Sequence, residues 1–339
     1  MMRWDPFERV LNVNNAGNLL MEWSHTTGDF VFSSPAVAKG VVYVGSADGN
    51  LYALNARTGD ELWSYAPGDA VLSSPAVANG VVYVGSGKPS GSVYAVDAST
   101  GNELWSYATG GYIISSPAAA NGVVYVGSED GNLYALNASG GALLWSYATG
   151  NSVFSSPTVS HGVAYVASLA NLHALNASTG ALLWSHATAG GYSSPAVANG
   201  VVYVGSDDGN VYALRAKTGD LLWSYTTGKY VVESSPAVAN GVVYVGSDDN
   251  NVYALNSRTG AKLWSYATGS QVGTSSPAVA NGVVYFGSTD HKVYALNART
   301  GAKLWTYSTG SGVESSPAVS NGVVYVGSDD GKVYAFSLN

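Results

Sequence analysis

Glu233, Thr274 and Glu314 each stand immediately before a copy of the tripeptide Ser-Ser-Pro, a spacing that sets one carboxylate on either side of a hydroxyl. Such a trio suits a polar pocket, and its carboxylates with the neighbouring Asp turns could take a Ca²⁺ ion. The residues at the same place before the other copies are Phe32, Leu72, Ile114, Phe154 and Tyr192. The two sets together outline a polar pocket beside an aromatic one, with Phe32, Phe154, Tyr192, Glu233, Thr274 and Glu314 as candidate ligand-binding residues. The same positions also suit solvated rim residues, and sequence leaves both readings open.

Other chemistry is sparse. The five His residues, at 25, 161, 173, 186 and 291, show no metal-ligand spacing. Residues 85–91 (GSGKPSG) look superficially like a phosphate loop, but Pro follows Lys88 and the earlier Gly is missing, so they read as a lengthened hairpin. Without Cys the chain has no thiol nucleophile, thiolate ligand or disulfide. A net charge of −8 with only 14 Lys and Arg opposes binding to phosphate backbones and anionic lipid surfaces. No nucleic-acid partner, membrane insertion, catalytic residue, bound metal or cofactor is therefore expected. Residues 1–10 (MMRWDPFERV) lack the apolar segment of a signal peptide.

The elements that position these residues come from a repeat. The phrase SSPAVANGVVYVGS occupies residues 73–86, 193–206 and 234–247 without change, and related copies bring the number to eight. The Pro of each copy falls at 35, 75, 117, 157, 195, 236, 277 and 317, steps of 38 to 42 residues, which is the size of a propeller blade. Each unit holds four short strand signals parted by turn residues. In the fifth these are SSPAVA, Asn199-Gly200, VVYVGS, Asp208-Gly209, NVYALR, Thr218-Gly219 and LLWSY. Pro lacks an N–H, so the SSPAV strand belongs at an edge, whereas VVYVG is apolar at successive positions and must be buried on both faces. Face-to-face stacking around an axis meets both demands: an all-β, eight-bladed propeller of four-stranded antiparallel blades, its SSPAV edges lining a central channel.

Trp23, Trp63, Trp105, Trp145, Trp184, Trp223, Trp264 and Trp305 recur once per outer strand as structural residues, while Trp4 lies outside the series. Trp23 precedes the first Ser-Ser-Pro, and the last unit ends at VYAFSLN without an outer strand of its own. Residues 19–24 (LLMEWS) can supply it and close the ring, removing an exposed edge at each end. The expected organisation is an extension over residues 1–18 and one propeller over 19–339. Blade 4 departs most from the others, with Ala164, Ala167 and His173 where they carry Val, Gly and Tyr.

Residues 53–63 (ALNARTGDELW), echoed from Ala95, Ala135, Ala174, Ala213, Ala254 and Ala295, resemble the tryptophan-docking motif of the quinoprotein-like propellers. That family includes PQQ-dependent alcohol dehydrogenases and outer-membrane assembly lipoproteins of the BamB type. The usual Asp of the motif is Asn at 55, 137, 176, 256 and 297, Arg at 215, and Asp only at 97. The resemblance implies a periplasmic or extracellular setting, with any signal peptide outside this chain. It permits two functions: a non-catalytic scaffold, monomeric and offering a rigid disc to a protein or saccharide, or a dehydrogenase holding PQQ with Ca²⁺ above the channel. Near-identical blades favour the scaffold, since an active site requires asymmetry. Recent amplification or design without a selected function is a third reading. One face of the disc carries most of the Asp and Glu of the turns, which suits either tight turns or a cationic partner.

Overall fold

Every repeat folds into the meander its turn residues dictate. In blade 5 the strands are Ala196–Ala198, Val201–Gly205, Asn210–Arg215 and Leu221–Thr226, paired in that order. The Asn-Gly turn between the first two has φ of 51° at Asn199 and 76° at Gly200, the doubly left-handed form that matches strand twist. In the following turn only Gly209 is left-handed, at 80°, so Asp208 acts there through its side chain and not through its backbone. The computed structural model describes residues 4–5, 8–87, 91–228 and 232–338; Lys88 of the lengthened hairpin lies outside them.

Eight such sheets surround one axis. In blade 5 the second strand is buried on both faces, whereas the outer strand carries exposed residues at most positions. Blade 8 comprises Ala318–Ser320, Val323–Ser328 and Lys332–Ser337, and its outer strand is Leu20–Thr26, which pairs antiparallel from Leu20↔Ser337 to Thr26↔Lys332. The N-terminal strand thus closes the ring, displaced slightly from the stretch expected from sequence. In each blade the outer strand has a register shift next to its Trp, a bulge that blunts an otherwise open edge.

Tryptophans join the blades. Trp63 Nε1 and the Tyr43 hydroxyl of blade 1 both donate to the Ala98 carbonyl of blade 2, at 3.2 and 3.0 Å. The same doubled contact recurs around the ring, including the seam where Trp23 and Tyr325 both reach Ala56 O. Asn55 serves as well as Asp97 in the docking turn, because its Oδ1 accepts the N–H groups of Arg57 and Thr58 as Asp97 Oδ1 accepts those of Ser99 and Thr100. A neutral amide oxygen suffices for this turn.

One seam differs. Between blades 7 and 8 the chain enters from its N-terminal segment, and Trp305 Nε1 donates to Leu19 O at 2.9 Å. Tyr285, the counterpart of Tyr43, is fully buried there and its hydroxyl has no hydrogen-bond partner among the described residues. Residues 8–19 are not a loose extension: Leu11, Ala16 and Leu19 are buried in the core that blades 7 and 8 share. Glu8 Oε1 accepts the N–H groups of Val10 and Leu11, and its Oε2 accepts that of Gly322. Removing an unsatisfied buried hydroxyl spares its desolvation cost, so Tyr285→Phe is expected to leave stability unchanged or raise it, whereas Tyr244→Phe, which loses the 3.0 Å bond to Ala298 O, costs about 1 kcal/mol. Paired urea denaturation curves test the contrast.

Candidate functional site

The axial channel is built from a hydrogen-bonded circuit. The N–H of the second Ser in each Ser-Ser-Pro donates to the hydroxyl oxygen of the corresponding Ser in the next blade, from Ser34 to Ser74 at 2.9 Å and round to Ser316, whose N–H returns to Ser34 Oγ at 2.9 Å. The Ser before it ties its own blade, as where Ser193 Oγ accepts the Gly205 N–H at 2.8 Å, and the hydroxyls of Ser193 and Ser275 also donate to the carbonyl of the corresponding Ser in the next blade. Pro leaves the channel-facing edge without a competing donor. These contacts hold the residue that precedes each Ser-Ser-Pro at the channel mouth.

The mouth divides into two arcs. On one side Phe154 and Tyr192 stack with ring centroids 4.6 Å apart and planes 3° from parallel, Tyr192 being 43% exposed. Phe32 packs edge-on against Phe30. On the other side Thr274 Oγ1 donates to Glu314 Oε2 at 3.4 Å. Glu233 is half-buried; desolvation first, then the charges of Asp248, Asp207 and Glu314, push its carboxyl up to about 7. Burial, with Glu314 and Asp330 nearby, likewise pushes Asp329 up to about 7. Asp207, Asp248 and Glu314 are raised too, in each case chiefly by desolvation.

The acidic face is therefore two populations. Asp48, Asp130, Asp249, Asp290 and Asp330 are occupied structurally: each accepts the N–H of a glycine in the link before its blade, from Gly28 to Asp48 Oδ2 at 2.6 Å, and the hydroxyl of a Tyr four residues on. Asp207, Asp248 and Asp329, each one position before an Asp that accepts a Tyr hydroxyl, turn towards the mouth; Oδ1 of Asp207 and of Asp329, like that of Asp290, is buried without a hydrogen-bond partner among the described residues. Sequence analysis did not assign these three to the pocket, although the doubled acids of SDD at 206–208, 247–249 and 328–330 were its visible signal. In blade 4 the turn has Leu169 and Ala170 instead; His173 replaces the Tyr, and burial pushes its imidazole down to about 4.

These shifts fix a pH response. Carboxyls whose folded-state pKa is raised bind more protons folded than unfolded, so their contribution is present below about pH 4 and is lost as pH rises to 7. His173 works the other way, and its contribution is lost as pH falls from about 6.5 to 4. Glu233→Gln combined with Asp329→Asn is expected to raise stability at pH 8 by about 1 kcal/mol per carboxyl, after allowance for solvent screening at half-exposed sites, and to flatten the fall between pH 4 and 7. Chemical denaturation at stepped pH provides the measurement.

Among the described residues no grouping of three or more His, Asp or Glu has metal-binding geometry. Eight tryptophan-docked blades around this channel define a propeller of the PQQ-like repeat class. A family model described as outer membrane protein assembly factor BamB matches residues 8–112, 89–191, 168–311 and 268–339, and the chain belongs to that family. BamB from Moraxella catarrhalis superposes with a TM-score of 0.80 at 21% identity over 94% of this chain and 99% of that one. A europium-containing methanol dehydrogenase gives 0.85 at 15% identity over 99% and 96%, and the computationally designed Ika8 protein gives 0.81 at 20% over 94% and 99%. At these identities the likeness is one of fold. No match is found among curated proteins.

Proposed function

We propose that the chain is a non-catalytic binding propeller, monomeric and working in a periplasmic or extracellular setting, whose acidic mouth engages a protein partner. The observation that carries this reading is the set of mouth carboxylates, Glu233, Asp207, Asp248, Glu314 and Asp329, which repel one another and are met there by no Lys or Arg ion pair among the described residues. A cationic segment relieves that repulsion on binding. PQQ would add three carboxylates to the same place, so the residues present do not fit it. The family's description as an outer membrane protein assembly factor agrees with a protein partner.

The test is a titration with PQQ in excess Ca²⁺, following quinone absorbance and dye reduction with alcohols and aldoses. No saturation is expected below about millimolar concentration, where a ligand gains only about 4 kcal/mol, and no turnover. Micromolar binding with substrate-dependent dye reduction would establish the dehydrogenase instead.

A further inference from the structure

The inner strands present open edges to the channel. In blade 5 the pair next to the two-residue turn, Ala198↔Val201, exchanges hydrogen bonds, so the N–H and C=O of Val197 point away from the second strand and towards the axis. Repetition places the same two groups on the axis in the other blades, through Val37, Val77, Ala119, Val159, Val238, Val279 and Val319.

One of these edges is taken. Trp4–Asp5 pairs in parallel with the inner strand of blade 7, with Trp4↔Val279 and Asp5↔Ala280, and lies against the inner strand of blade 6. Ala237, Ala239, Ala278, Val279 and Ala280 are buried in consequence, whereas their counterparts in blades 1 to 5 are only half-buried. The rest of the channel is a cavity of 1160 Å³ whose lining of Ser, Pro, Ala, Val, Thr, Asn and Gly carries no charge among the described residues.

We propose that the channel binds an extended polypeptide segment, added as a parallel strand to one of the free inner edges, with a basic residue leading an uncharged stretch. The chain's own strand shows that the edge accepts extended backbone in this direction. Direction then fixes the chemistry of the segment. Each inner strand runs from the Ser-Ser-Pro mouth towards the Asn-Gly turns, so the N-terminal end of a parallel partner lies at the mouth. There it meets Glu233, Glu314, Asp207, Asp248 and Asp329. Among the described lining residues a charged side chain inside the channel would find no counter-ion, which favours uncharged residues after the leading one; Asp5 of the chain's own strand pairs at the last inner-strand position, next to the Asn-Gly turn. This inference rests on the binding-propeller reading and names what that site takes.

Two acetylated peptides with a C-terminal fluorophore, Arg-Val-Ala-Val-Ala and Ala-Val-Ala-Val-Arg, titrated against the full chain and read by anisotropy, test the proposal. The basic-first peptide is expected to bind at least about ten-fold more tightly, and Glu233→Gln with Glu314→Gln to abolish the preference. Independently of that variant's folding, a photoreactive residue at the central position of the basic-first peptide is expected to form adducts with inner-strand residues of the unaltered protein. Absence of saturation, equal or reversed preference, or adducts confined to outer strands overturns the proposal. PQQ-dependent dye reduction would instead overturn the binding-propeller reading, and it is scored separately from both peptide measurements.

Discussion

A chain lacking residues 1–25 is expected to lose the closed ring: it should elute as aggregate, or melt far below the intact protein. The deletion removes three things together. It strips the outer strand from Lys332–Ser337 and leaves a row of unpaired backbone groups open to other chains. It removes Trp23, which is buried and donates to Ala56 O at 3.1 Å, so that blade 1 loses its docking partner across the seam. It also takes Leu11, Ala16 and Leu19 out of the core shared by blades 7 and 8. Loss of the Trp alone costs about 3–5 kcal/mol, a large share of the 5–15 kcal/mol that usually holds a domain folded. Size-exclusion chromatography with a thermal melt gives the answer; a monomer with an unchanged melting point would show that the ring closes by other contacts.

Gly219→Val is expected to cost about 3–5 kcal/mol, more than any substitution at an exposed turn. Gly219 sits in the docking turn with φ of 76°, and a Cβ there would come within 2.7 Å of Cε3 of Trp184 in the preceding blade. A side chain must therefore adopt a left-handed backbone and also expel a ring packed between two blades. Gly200 separates the two effects: its φ is also 76°, but nothing lies within 4 Å of an added Cβ. Gly200→Asn should thus cost only about 1 kcal/mol or less, since Asn tolerates this conformation. Guanidinium unfolding of both variants distinguishes them, and equal losses would mean that ring docking contributes little.

Much of the molecule was legible in its repeat. Period, turn residues and the continuous apolar strand determine the meander, its blade size and the ring, because these are local rules of backbone and pattern repeated eight times. The unmatched Trp23 and the missing last strand determine how the ring closes, since an orphan element at each end has one natural partner. Blade 4 shows where local reading stops. Ala167 replaces the Gly that elsewhere lets a Val or Ile of the next link approach, and in isolation it reads as a defect. The fold sets Gly191 against it, where an added Cβ would come within 2.9 Å of the Ala167 Cβ, so the lost space is restored by a residue 24 positions on. A complementary swap of this kind is invisible until the two segments meet.

The same holds for the site. Residue types before Ser-Ser-Pro announced an aromatic arc and an acidic one, and Phe154 with Tyr192, and Thr274 with Glu314, do come together. Which acids are free was decided only in three dimensions. In SDD at 206–208, Asp208 accepts the Tyr212 hydroxyl at 2.6 Å, while its neighbour Asp207 keeps a buried oxygen with no partner among the described residues. Adjacent side chains in a tight turn leave in different directions, so two identical letters acquire opposite roles. Likewise, sequence placed residues 1–18 outside the propeller, whereas tertiary structure puts Trp4–Asp5 on an inner strand. No apolar periodicity marks so short a strand; its pairing comes from an open backbone edge, and an edge exists only once the ring has formed.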